Sequence, residues 1–247
     1  QTRMGHMGGT QPAPSSARQE PEVTEPQMLN EGFVLAGADL YRMNCQSCHG
    51  PDGRGAPPEI KSLIEPVQGT SVAMIKKRMD ARGTPIDDSL AKQLAAEAEA
   101  TLRKRLQNGG EKMPAFPHLE GEEVEALIGY LQQFAAVPSP KNSNLLVRES
   151  AARVGEHVVK ATCHLCHNAT GPGGGHMMMM RGIIPSLASL PEDHYLSSIE
   201  RQVHYGSSPM MQMMGRMGGD VMPAYPYFTE EEIAAAYFYL VEYPPQP

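Results

Sequence analysis

Long hydrophobic runs are missing from this chain: the most apolar segment, Ile233 to Val241, falls well short of the roughly 18 residues that a membrane-crossing helix needs. The N-terminus lacks the charged, apolar and small-residue succession of a secretory leader, so Gln1 is compatible with a processed end from which a leader or anchor has been removed. A basic surplus is also lacking. The 21 Lys and Arg side chains face 28 Asp and Glu, a formal net charge of −7, which argues against nucleic acid as a partner. That charge reads as an ordinary solvated surface. The Lys76, Lys77, Arg78 and Arg82 cluster, with Arg103, Lys104 and Arg105, reads likewise as solvated helix faces. No alternating strand pattern stands out, so the expectation is an all-α chain of helices and loops.

What is present falls into four parts. Residues 1–28 are rich in Gly, Pro, Ser, Gln and Glu, with almost no aliphatic content to offset the entropy of ordering, and read as a flexible tail. A 40% hydrophobic content suffices for cores in the remainder. Pro138, Ser139 and Pro140, followed by Asn142, Ser143 and Asn144, stop a helix and mark a linker over 138–147. The flanking segments, 29–137 and 148–247, repeat each other. Gly37, Tyr41, Cys45, Cys48 and His49 superpose without a gap on Gly155, Val159, Cys163, Cys166 and His167. Met113-Pro114-Ala115-Phe116-Pro117 superposes on Met222-Pro223-Ala224-Tyr225-Pro226, the second half being shorter between these landmarks.

Each half opens and closes on an amphipathic helical pattern. Phe33, Ala36, Gly37, Leu40 and Tyr41 precede the first cysteine pair, and Ala151, Val154, Gly155, Val158 and Val159 precede the second. After the Met-Pro segments, Val124, Leu127, Ile128 and Leu131 form one apolar stripe, and Ile233, Ala236, Tyr237 and Leu240 form its counterpart. Thr229 with Glu232 reads as a capping box at the start of the last helix.

All four cysteines belong to Cys45-Gln46-Ser47-Cys48-His49 and Cys163-His164-Leu165-Cys166-His167, so none remains for a disulfide or a nucleophile. Both segments have the form C-x-x-C-H, which marks c-type haem attachment. Two thiols at this spacing can each add to one haem vinyl group, and the adjacent histidine then meets the iron. A thioredoxin-like dithiol or a zinc site are the bland alternatives. The first does not require a histidine after both pairs, and the second leaves the Met-Pro segments unexplained.

With these motifs the sequence resembles class I cytochromes c, specifically tandem dihaem cytochromes c, over about residues 30–136 and 148–243. The resemblance implies two small helical domains, each wrapping one covalent haem c. It implies iron ligation by His49 and Met113 in the first half and by His167 and Met222 in the second. It also implies a proline whose carbonyl orients the proximal histidine, matched by Pro185 in the second half and by either Pro57 or Pro58 in the first. Met210 follows Gly206 at the spacing by which Met113 follows Gly109, but the Met-Pro-Ala-aromatic-Pro match and the gapless run into the last helix select Met222. His118, His164, His176, His194 and His204 are weaker alternatives as axial ligands.

The chain departs from the compact family pattern in a helical insert around Val72 to Met79 and Leu90 to Leu106, suited to covering a haem edge or binding a partner. It departs also in Gly- and Met-rich loops over 171–180 and 210–222, and in the tail with Met4, His6 and Met7. Methionine loops can bind Cu(I), though adaptable apolar packing is the simpler reading. The resemblance implies an electron carrier between redox proteins in the periplasm or another extracytoplasmic space, working as a shuttle or within a membrane complex. The rival readings are a dihaem enzyme of the peroxidase or thiosulfate dehydrogenase type, and a copper-binding module.

Overall fold

The computed structural model describes residues 32–169, 184–207 and 222–245. The N-terminal tail and most of both methionine-rich loops, including His176 and Met210, lie outside these residues.

The first half runs β1 (Phe33–Ala36), α1 (Gly37–Asn44), α2 (Gln46–His49), α3 (Ile64–Gln68), α4 (Val72–Ala81), α5 (Asp88–Asn108) and α6 (Gly121–Phe134). The second runs β2 (Leu146–Glu149), α7 (Ala151–Ala161), a 3-10 turn at Cys163–Leu165, α8 (Leu190–Asp193), α9 (Leu196–Tyr205) and α10 (Glu230–Glu242). The helical character agrees with the sequence, with one correction. Phe33 to Ala36 is not the first turn of α1 but a strand, paired antiparallel with β2 from Phe33↔Glu149 to Ala36↔Leu146. Four-residue strands carry too few alternations to show a period of two. The end of the proline-rich 138–147 stretch is thus held against the start of the first half.

Local chemistry explains where the helices begin. Asp87 accepts from the Leu90 N–H at 2.8 Å, and Ser150 accepts from that of Arg153 at 3.2 Å. The capping box forms as expected, with Glu232 N–H donating to Thr229 Oγ1 at 3.2 Å and Thr229 N–H to Glu232 Oε2 at 3.0 Å. Each cap satisfies a backbone donor that the helix itself cannot.

The same helix crossing builds both halves. Helix α1 meets α6 at Gly37, where a Cβ would lie 2.1 Å from the Ala126 carbonyl oxygen and 2.6 Å from Tyr130 Cβ. Helix α7 meets α10 at Gly155, where the distances are 2.2 Å to the Ala235 oxygen and 2.6 Å to Tyr239 Cβ. Any side chain at either glycine would push the two helices apart. Leu40, Leu127, Val154, Ile233 and their neighbours then join one hydrophobic core that runs through both halves. The insert, α4 and α5, packs on a small cluster of its own around Ile75, Ala91 and Ala95.

Candidate haem-binding site

Helices α1 and α7 end where the cysteines begin. Cys45 is the C-terminal cap of α1, and Thr162 caps α7 immediately before Cys163. Burial pushes the Cys45 and Cys163 thiols up to about 12, opposite to the depressed values of an activated redox dithiol. The pairs do not converge on an ion either: among the described residues, no group of three or more His, Cys, Asp or Glu could hold a metal. Both segments keep the Cys-x-x-Cys-His form that suits covalent attachment of a prosthetic group.

His167 follows its cysteines half-buried, and its Nδ1 donates to the Pro185 carbonyl oxygen at 2.9 Å. A carbonyl can only accept, so the proton sits on Nδ1 and leaves the Nε2 lone pair for iron. The first half corrects the expectation for Pro57 and Pro58. Ile60-Lys61-Ser62-Leu63 occupies the place of Ile184-Pro185-Ser186-Leu187: Leu63 N–H donates to Gly53 O at 2.8 Å, and Leu187 N–H to Asn168 O at 2.9 Å. Lys61 therefore stands where Pro185 does. Burial lowers the pKa of His49 and a hydrogen bond with the Lys61 backbone opposes it, while the buried Nδ1 makes no well-aligned hydrogen bond. The accepting group is a backbone carbonyl, which any residue supplies; the recurring Ile-x-Ser-Leu was the signal in the sequence.

The two methionine segments are laid out alike. Helix α5 stops at Gly109 and α9 at Gly206, each with φ of 69°, a left-handed conformation that glycine adopts without strain. A Cβ on Gly109 would lie 2.6 Å from Met113 O and 2.8 Å from Ala115 N; on Gly206 it would lie 2.7 Å from Met222 O and 3.0 Å from Ala224 N. Gly110 N–H donates to Met113 O at 2.8 Å, and Ser207 N–H to Met222 O at 3.0 Å. Phe116 N–H closes the first loop on Leu106 O at 2.8 Å, as Tyr225 N–H closes the second on Val203 O at 2.7 Å. Met113 and Met222 are both half-buried. Met222 thus has the backbone setting of Met113, with Ser207 in the place of Gly110.

Two of the other described histidines are engaged in hydrogen bonds. His118 is buried, with Nε2 2.9 Å from Asn44 Oδ1, and His204 Nε2 donates to the Phe228 carbonyl at 3.0 Å. His164 and His194 are exposed.

One feature of the site escaped the sequence. The two halves are tied by reciprocal ionic contacts beside the cysteine segments. Arg42 of α1 reaches Glu232 and donates to the Tyr227 carbonyl at 3.1 Å. Arg153 of α7 reaches the His118 carbonyl and donates to Glu123 at 2.6 and 2.9 Å. His118 and Tyr227 are equivalent positions, as are Glu123 and Glu232. Between them, Thr162 Oγ1 donates to the Met43 carbonyl at 3.1 Å, which sets the two attachment segments side by side.

Comparison with known proteins gives one family. The model described as cytochrome C oxidase, cbb3-type, subunit III matches residues 33–131 and again 150–240, one match for each half. No curated protein and no solved structure matches the chain.

Proposed function

Since the chain belongs to the family of cytochrome c oxidase, cbb3-type, subunit III, with two cytochrome c domains in tandem and a haem c electron-transfer role, we propose that it binds two covalent haem c groups and relays electrons between extracytoplasmic redox partners. It works as a shuttle or as the cytochrome subunit of a larger redox complex. Cys45 and Cys48 attach one haem, and Cys163 and Cys166 the other. His49 and Met113 would ligate the first iron, and His167 and Met222 the second.

The observation that carries this reading is the common frame of the Met113 and Met222 loops, each locked to its own helix-ending glycine. When bound, haem c would supply a one-electron iron couple, and a histidine and a methionine as iron ligands would favour a high potential. The Pro185 carbonyl fixes the imidazole of His167, and the closed loops hold the thioethers against displacement. The chain needs no bound substrate for this work. No described helix is long and apolar enough to cross a membrane, so a place in a membrane complex rests on contacts with other subunits or on chain outside the described residues.

The test is to count haem that survives acid–acetone extraction of the denatured holoprotein and then to add cyanide to the oxidised native form. Two retained haems and slow, weak cyanide binding at both support the relay. Loss of either haem, or rapid cyanide binding at one, overturns it in favour of a single carrier or an open catalytic iron. Recovery of the mature holoprotein in the periplasmic fraction supports the compartment; recovery confined to the cytosol overturns it.

A further inference from the structure

We propose that Tyr225 and Tyr227 bridge the two haem sites, and that the Tyr227 hydroxyl, though carried by the second half, is a positioning group for the potential of the first half's haem. The proposal rests on reading both C-x-x-C-H segments as attachment sites.

The two tyrosines flank Pro226 just beyond Met222, with ring centroids 6.0 Å apart and nearly perpendicular. Tyr227 also packs on Phe228 at 4.9 Å. Its backbone is tied across the interface by the Arg42 guanidinium, three residues before Cys45. The second attachment segment is fixed alongside by the hydrogen bond from Thr162 to Met43. Tyrosines of the second half therefore stand where both attachment segments meet. Electrostatics agree: burial raises the Tyr225 phenol to about 12, with further contributions from Cys166, Cys163 and Cys48. Burial likewise raises Tyr227, which interacts with Tyr225, Cys48 and Cys163. Both phenols stay neutral, so each keeps a proton to donate.

That proton is unspent at Tyr227, whose buried Oη has no hydrogen-bond partner among the described residues. A buried donor left without a partner is unfavourable, and beside the two cysteine segments the group it can serve is the prosthetic group that they would hold. The first half offers no counterpart. Phe116 stands in place of Tyr225 without a hydroxyl, and His118, in place of Tyr227, spends its Nε2 on Asn44. The bridge is therefore one-sided. A donor dipole beside a haem stabilises its reduced form, so removing the hydroxyl lowers the potential.

The experiment uses the full-length holoprotein. Circular dichroism in the Soret region is recorded first, because two haems held close together give a bisignate exciton couplet. The midpoint potential of each haem is then measured in the wild type and in Tyr227→Phe, which keeps the ring and the packing. Variant Cys163→Ala/Cys166→Ala identifies the first half's haem. The expected results are a couplet in the wild type and, for Tyr227→Phe, two retained haems with the first haem's reduced-to-oxidised ratio at fixed potential lowered by up to tenfold, a fall of up to about 59 mV for a one-electron couple. A Soret spectrum that is the plain sum of two isolated haems overturns the bridge, as does an unmoved first-haem potential in Tyr227→Phe. Fewer than two covalent haems in the wild type defeats the two-site reading itself, which haem counting reveals separately.

Discussion

Replacing Glu123 by Gln should weaken the hold between the halves more than any other single polar change. Glu123 is almost wholly buried and accepts from His157 Nε2 at 2.9 Å, from Arg153 at 2.6 and 2.9 Å, and from the Glu120 N–H at 2.9 Å. Burial alone would raise its pKa, but the hydrogen bonds from His157 and Arg153, with the Glu120 N–H, outweigh that and hold the carboxyl at about 2 rather than 4.5. At about 1.4 kcal/mol for each pH unit, the depression corresponds to about 3 kcal/mol of stability. The sign follows from proton uptake. Below pH 4.5 the unfolded chain binds a proton that the folded one refuses until about pH 2, so this stability is complete above 4.5 and lost as pH falls through that window. His118 acts in the same direction at higher pH. Burial first, and then the imidazole of His157, lowers its pKa from 6.5 to about 4, so its share disappears as pH falls from 6.5 towards 4. Glu123→Gln keeps the shape, strips the charge and leaves Arg153 with Glu156 as its one remaining counter-ion, and breaking one side of a buried pair costs about 3–5 kcal/mol. Arg153 retains some exposure, which places the expected loss near the lower figure. Denaturant unfolding of the holoprotein at pH 7 and pH 4, followed by far-ultraviolet circular dichroism, measures it. The variant should lose about 3 kcal/mol at pH 7 and show a flatter acid dependence below pH 4.5. A loss under about 0.5 kcal/mol, or an unchanged acid limb, would refute the assignment, since that is the range of an ordinary surface substitution.

Met222→Ala should abolish the weak long-wavelength sulfur-to-iron absorption of the second haem and lower its potential, while Met210→Ala leaves both intact; optical redox titration distinguishes them. Gly155→Ala should destabilise the second half by about 3 kcal/mol or more, because its methyl group would overlap the Ala235 carbonyl, and thermal melting reads the loss. Pro185→Ala should keep the second haem's potential nearly unchanged, because the carbonyl that accepts from His167 survives the substitution. Thr229→Ala removes a helix cap and should cost about 1 kcal/mol in chemical unfolding.

How much of this was legible in the sequence depended on where the chemistry resides. Side-chain identity at fixed spacing was readable, as with Cys45, Cys48 and His49 and their repeat, and so was Gly37 matched with Gly155, because close helix contact admits only glycine. Backbone chemistry was not. A search for proline led to Pro57 and Pro58, whereas in the first half the backbone nearest the imidazole of His49 is that of Lys61, and a carbonyl carries no residue type. The β1–β2 pair was hidden because Phe33-Val34-Leu35-Ala36 is uniformly apolar and continues into a helix, so no period separates the two. Arg42 and Glu232 stand 190 residues apart in the chain, and nothing local marks either as the other's partner.

The interlocking of the halves follows from that last class of contact and changes what the repeat means. Two copies joined only by the 138–147 stretch would move independently, and any transfer between their haems would depend on chance approach. Here the final-helix carboxylate of each half, Glu123 or Glu232, is neutralised by an arginine from the opening helix of the other. These arginines lie on α1 and α7, the helices that deliver the cysteines. Any shift of one half against the other must therefore uncover a buried carboxylate and drag an attachment segment with it. The charge network and the two Cys-x-x-Cys-His segments share one framework, so the spacing between these segments is set by folding rather than by linker length.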